Sequence, residues 1–87
     1  MRKMTWEKAG RFVSSAGTTN IYRLRGTDIT VESRKRAIPH ANGIGTWDYT
    51  SYFVLDDGVE IYEKNSLADA KKLAEIVADT QYEMGVV

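Results

Sequence analysis

The sequence predicts a small α+β domain: an antiparallel sheet of about four strands, joined as a meander and packed against a long C-terminal helix, with a short N-terminal helix ahead of it. Three observations carry this prediction. Between residues 21 and 64, runs rich in aromatic and β-branched residues are separated by Gly- and Asp-containing turn signals. From Ser66 onward the apolar residues recur at helical spacing instead. The chain has 87 residues, 43% of them apolar and 28% charged, which suits one modest core burying roughly 60 to 65% of the unfolded surface. Residues 1–87 are therefore read as a single domain.

The elements follow in order. In "TWEKAGRFVSSAG", Thr5 is placed to cap a helix, Trp6, Ala9, Val13 and Ala16 share a helical stripe, and Gly17 would close it. Gly10 and the β-branched Val13 oppose a helix, and a strand through "RFVSS" is the competing assignment. After the turn-rich "AGTTN", "IYRLRGTDITVE" reads as a hairpin around Gly26, Thr27 and Asp28. Its second strand extends through "SRKRAI" and ends at Pro39, which cannot donate a ladder hydrogen bond. "HANGIG" forms a loop with positive φ expected at Asn42, Gly43 or Gly45.

"WDYTSYFVL" is the next strand, and Asp56, Asp57 and Gly58 turn the chain into "VEIYEK". In "NSLADAKKLAEIVADTQYEM", Ser66 caps the helix with Asp69 at the third helical position, and Leu67, Ala70, Leu73, Ala74, Val77, Gln81 and Met84 form its apolar stripe. Period-two alternation puts Tyr22, Leu24, Ile29, Val31, Phe53, Leu55, Val59 and Ile61 on the core face of the sheet.

The same alternation sends Arg23, Arg25, Arg34 and Arg36 to the opposite face, with Tyr52 and Tyr62 on the strands beyond. Guanidinium groups fork onto phosphates or carboxylates, and tyrosine rings stack on bases or anchor protein interfaces. The bland reading packs both tyrosines against the first helix and leaves the arginines solvated or paired with Glu32, Glu60 and Asp48 across strands. A one-residue slip of register would exchange the two faces.

Charge divides along the chain although its net value is zero. Residues 1–47 hold nine Lys/Arg against three acids, and residues 48–87 hold three against nine. Such asymmetry hints at a charged interaction surface, although two halves sharing one fold would also neutralise each other.

The loop region divides the same way. "NGIG" lacks the Gly-Lys-Ser/Thr ending of a phosphate loop and leads into a strand rather than a helix, so it reads as a hairpin end. "SRKR" reads as the flared end of a strand, where basic side chains deter sheet-to-sheet aggregation. Lys35, His40 and Trp47 join the sheet-face residues as candidate contacts. A tryptophan at the start of a helix or a strand most often covers an end of the core, which is the fate expected of Trp6 and, a little less firmly, of Trp47.

Catalytic chemistry finds little support. Cysteine is absent, which excludes disulfides, thiolate metal sites and cysteine nucleophiles. His40, the only histidine, follows a proline in a loop and is expected to be solvent-exposed, with no partner ligands or triad members at suitable spacing. Asp56 and Asp57 are turn residues first, and no acid pair is placed for glycosidic chemistry. No enzyme activity, cofactor or metal is expected.

No apolar run reaches secretory or membrane-spanning length, so a cytoplasmic, membrane-free protein is expected. The apolar residues of "IVADTQYEMGVV", more than one sheet face needs, suit a homodimer through the C-terminal helix.

In size, lack of cysteine and the layout of a short sheet followed by "NSLADAKKLAEIVAD", the chain resembles small accessory proteins of bacteriophages. That resemblance implies a protein that binds and inhibits or redirects a host protein in the host cytoplasm, and assigns no residue a role. The leading expectation is thus a non-enzymatic protein-interaction module. The alternative is a nucleic-acid-binding domain that sets its basic half on phosphates and Trp47, Tyr52 or Tyr62 on bases.

Overall fold

The computed structural model describes residues 4–15, 17–41 and 43–85. Its elements are β1 (Trp6–Ser14), β2 (Gly17–Leu24), β3 (Ile29–Pro39), β4 (Thr46–Asp56), β5 (Val59–Lys64) and α1 (Leu67–Glu83). The strands form one antiparallel sheet in sequence order, a five-stranded meander with β1 and β5 at its edges.

The expected N-terminal helix is a strand, and the sheet gains a fifth member. The competing strand reading through "RFVSS" is the one that holds. Phe12 and Val13 suit a pleated surface, Gly10 weakens a helix, and the chain doubles back after Ser14 to pair with Gly17. "GTTN", read as a turn, is the first half of β2. Ala16 and Asn42, which the sequence reading placed in the helical stripe and the loop, lie outside the described residues.

The turns behave as their chemistry requires. Asp57 and Gly58 both have positive φ, 52° and 83°, as a two-residue hairpin turn between right-twisted strands demands. Gly43 and Gly45 supply positive φ in the β3–β4 loop. At the β2–β3 turn the Thr27 hydroxyl donates to the Leu24 carbonyl (2.8 Å) and accepts from the Ile29 N–H (3.0 Å). Ser66 caps α1 by accepting the Asp69 N–H at 3.1 Å.

The core is small and sits at one end. Leu24, Ile29, Val31 and Val54 from the sheet meet Ala70, Ala74 and Ala78 from α1, with Met4, Trp6, Tyr52, Leu67, Leu73 and Val77 packed around them. The alanine ridge keeps the helix close to the strands. Two polar ties hold its length: the Trp6 indole N–H donates to Glu75 (2.8 Å), and Gln81 donates to Asp56 (2.7 Å). Trp6 therefore plugs the core end as expected, from a strand rather than a helix. Met84, expected in the buried stripe, is 71% exposed beyond the sheet, and Val86 and Val87 lie outside the described residues.

Half of the expected core face needs correction. Val31 pairs with Val54, so Val54 and Tyr52 lie beneath the helix and Phe53 points the other way. "YFVL" is apolar in both phases, and alternation alone does not choose between them. Leu55 is buried as expected, although outside the helix-side cluster. Val54 pairs with Tyr62 whereas Leu55 pairs with Glu60, which leaves Ile61 as an extra residue in a bulge of β5. Val59 and Ile61 are consequently exposed.

The molecule measures 52 × 20 × 20 Å. The 17 residues of α1 span about 25 Å, and the helix packs mainly on β3, β4 and β5, with Trp6 of β1 and Leu24 of β2 reaching it from the near ends of their strands. Beyond the row of Tyr22, Ser33 and Tyr52 the sheet continues as four strands with no second layer on either face among the described residues.

Candidate interaction surface

The uncovered end of the sheet brings together the second half of β1, the first half of β2, the second half of β3 and the first half of β4. On the face away from α1, Arg34 lies opposite Ser51, Arg36 opposite Tyr49 and Ile38 opposite Trp47. Phe12 and Thr19 continue the Arg34 row across β1 and β2. Trp47 and Phe12 are each 64% exposed, and Tyr49 is half exposed. Large apolar side chains in such numbers on one open face usually mark a contact surface.

Arg34 anchors the boundary between the covered and open halves. Its guanidinium stacks 4.1 Å above the Phe53 ring and pairs with Glu32 (2.9 Å) and Glu60. Burial opposes the charge, but the hydrogen bonds from Glu60 and Glu32 and their negative charges outweigh it and hold the Arg34 pKa above its ordinary value. A raised pKa stabilises the fold fully below the ordinary arginine range, and that contribution is lost only as pH climbs through the raised value. Arg34→Ala is expected to cost about 1 kcal/mol, the scale of a partly exposed ion pair with a stacked ring. Urea unfolding at neutral pH in low and high salt checks this; a cost that salt leaves unchanged would mean that the charges contribute nothing.

Arg36 is held differently. Its guanidinium donates to the carbonyls of Lys35 (3.0 Å) and Thr18 (3.5 Å) and to the Thr19 hydroxyl (3.3 Å). Among the described residues no carboxylate pairs with it, so its charge remains available to a partner.

At the tip, the His40 N–H donates to Gly45 and its carbonyl accepts from Gly43, closing the loop that carries Ile44 into solvent. The His40 ring lies 5.1 Å from that of Trp47 at a tilt of 56°. His40 is therefore half-buried against an aromatic, not the fully exposed loop residue expected. Trp47 departs from expectation the other way: it covers no end of the core and stands exposed, because β4 begins well beyond the reach of α1.

The remaining sequence candidates scatter. Arg23 shares the open face but is taken by Glu7, its Nε donating at 2.8 Å. Arg25 lies in the β2–β3 turn, where its N–H donates to the Thr5 carbonyl. Lys35 points to the helix side, 3.8 Å from Asp48. Tyr52 and Tyr62 are also on that side, opposite Ser33 and Val54. The arginine face therefore carries Phe53, Tyr49 and Trp47 in place of the two expected tyrosines, which is the consequence of the one-residue phase error in β4. Of the acids expected to pair with the arginines, Glu32 and Glu60 both hold Arg34, whereas Asp48 lies by Lys35 and Arg23 is held by Glu7. β3 is also the central strand, so "SRKR" does not protect a sheet edge.

The sequence reading missed Phe12, Ile38 and Tyr49. Phe12 was hidden by the helix assignment, and Tyr49 by the wrong phase. A depression at the opposite end is lined by Arg23, Thr27, Asp28, Asp56, Asp57 and Gln81, where Gln81 donates to Asp56. No group of three metal-ligating side chains gathers among the described residues.

Charge is segregated along the long axis. The open end, residues 10–20 and 33–51, carries Arg11, Arg34, Lys35 and Arg36 against the single acid Asp48. The covered end holds the other eleven acids of the chain, four of them on α1, against six Lys/Arg among the described residues. The division seen along the sequence becomes a division in space.

The chain matches no family model, no curated protein and no solved structure. Fold and surface define it as a small α+β protein with a meander sheet, layered by one helix at one end and bare at the other. No helix among the described residues is long and apolar enough to cross a membrane.

Proposed function

We propose that the protein is a non-enzymatic interaction module that occupies a surface of another protein, in the manner of phage-type accessory proteins that inhibit or redirect a host complex. One observation carries this reading: Phe12, Ile38, Tyr49 and Trp47 stand exposed on the sheet half that has no covering layer. Aromatic anchors beside an arginine supply most of the free energy of a typical protein interface, and here Arg36 lies directly opposite Tyr49. The core needs none of these side chains.

A second reading is favoured by the charge segregation. The basic end points away from the acidic helix, so a polyanion can approach Arg36, Lys35 and Arg11 while Trp47 or Tyr49 stacks on bases.

One set of variants separates the two. Trp47→Ala with Tyr49→Ala is expected to abolish retention of a protein partner from lysate while leaving the unfolding transition in place. Labelled single- and double-stranded DNA and RNA, titrated at low and physiological salt, are expected not to bind. Binding that falls steeply with salt and is lost in Lys35→Ala with Arg36→Ala would overturn the protein reading in favour of nucleic acid.

A further inference from the structure

The two edges of the sheet differ in a way that the proposed function leaves unused. β5 is six residues long, interrupted by the Ile61 bulge, and reads "VEIYEK", with Glu60, Glu63 and Lys64 along it. Short length, a bulge and charge are the devices by which proteins keep other strands from pairing with an edge. β1 is nine residues long, and its own bulge, between Lys8 and Gly10, lies near its start. From residue 10 to residue 13 its pairing with β2 is regular, and the stretch reads Gly, Arg, Phe, Val. In an antiparallel ladder alternate residues turn their N–H and C=O groups away from the neighbouring strand. β1 has a neighbour on one side only, so those groups form an accessible row. Phe12 flanks the row on one face and Val13, 69% exposed, flanks it on the other.

We propose that β1 is an acceptor edge, and that an extended acidic peptide of the partner adds to it as a sixth strand along residues 10–13. The inference rests on the reading of the protein as a protein-binding module and names the form its partner takes at the contact. Backbone hydrogen bonds give such strand addition its affinity, and alternate side chains give it specificity. Residues of the incoming strand on one side would cover Phe12. Those on the other would lie against Val13 and Arg11, whose guanidinium has no ion pair among the described residues, with Lys35 two strands further on the same face.

The charge selects the occupant. The nearest acid on β1 is Glu7, which already holds Arg23. A second copy paired edge to edge would bring two Arg11 and two Lys8 side chains into one ladder with no free acid to offset them, whereas a strand carrying glutamate or aspartate opposite Arg11 gains from the same field.

The test uses the full chain, labelled with nitrogen-15, and an acetylated octapeptide alternating glutamate with valine and threonine. At millimolar peptide, amide shifts and slowed hydrogen exchange are expected at residues 10–13. Affinity should fall about tenfold in Arg11→Glu, a substitution on exposed surface that leaves the unfolding transition unchanged. The same peptide with lysine for glutamate, and one with proline at alternate positions, should not bind. Shifts confined to Trp47, Tyr49 and Arg36 would overturn the edge inference while leaving the proposed binding face standing. Equal binding of the lysine peptide, concentration-dependent dimerisation with protection at residues 10–13 and no peptide needed, or no perturbation of β1 at all would each overturn it as well.

Discussion

Alanine at Gly17 is expected to destabilise the protein by about 3–5 kcal/mol, more than any single substitution on its surface. Gly17 opens β2 at φ 149°, in the region that disfavours side chains. A Cβ there would lie 1.9 Å from the Lys35 carbonyl oxygen, 3.0 Å from its carbon and 3.1 Å from the Arg36 Cα. All three are backbone atoms of the central strand, so no rotamer change relieves the overlap. Either β2 parts from β3 or the β1–β2 hairpin shifts register, and in both cases the open end loses its pairing. Gly26 supplies the control: its φ of 81° is equally unsuited to alanine, but a Cβ there meets nothing within 4 Å. Gly26→Ala is expected to cost only about 1 kcal/mol. Urea unfolding of the two variants measures the difference. Equal losses would show that backbone strain alone governs Gly17, and that β2 and β3 approach less closely than 1.9 Å implies.

How much of this was legible beforehand follows from the kind of signal each element carries. α1 announced itself through Ser66, Asp69 and a stripe from Leu67 to Val77, because capping and 3.6-residue spacing are local properties. The turn at Asp57 and Gly58 was equally local. β1 was not legible as first assigned: its stripe of Trp6, Ala9 and Val13 fits a helix, and only pairing with β2, a tertiary event, decides for the strand. The same limit applies to β4. Tyr52, Phe53, Val54 and Leu55 satisfy either phase, and the side chain that enters the core depends on where α1 lies, which no window of sequence contains.

The surface inherited that uncertainty. Arg34 and Arg36 were read onto a common face correctly, since they lie two apart on one strand. Their aromatic companions on the sheet were misread by one residue, so Tyr52 and Tyr62 stood in for Phe53 and Tyr49, while Trp47 was a candidate contact from the outset. The exposure of Trp47 follows from length: β3 and β4 have eleven residues each, about 37 Å of strand against about 25 Å of helix.

That mismatch divides the molecule into an end that needs its side chains for folding and an end that does not, and paired truncations should expose the division. Leu24 is 1% exposed and touches the alanine ridge through the core cluster. Leu24→Ala is expected to cost about 2–5 kcal/mol, through lost burial and the cavity left behind. In so small a core that is a large share of a total of about 5–15 kcal/mol. Trp47→Ala deletes a bigger side chain yet is expected to change stability by less than about 1 kcal/mol, because the indole is mostly in water already. Thermal and urea unfolding of both variants decide the matter. If Trp47→Ala proved as costly as Leu24→Ala, the open end would be part of the folding core and its aromatics would need no partner. If the costs separate as expected, selection for stability does not account for a tryptophan, a tyrosine and a phenylalanine held in water on a bare sheet. That outcome would support the proposal that these side chains are kept for a surface covered by a binding partner.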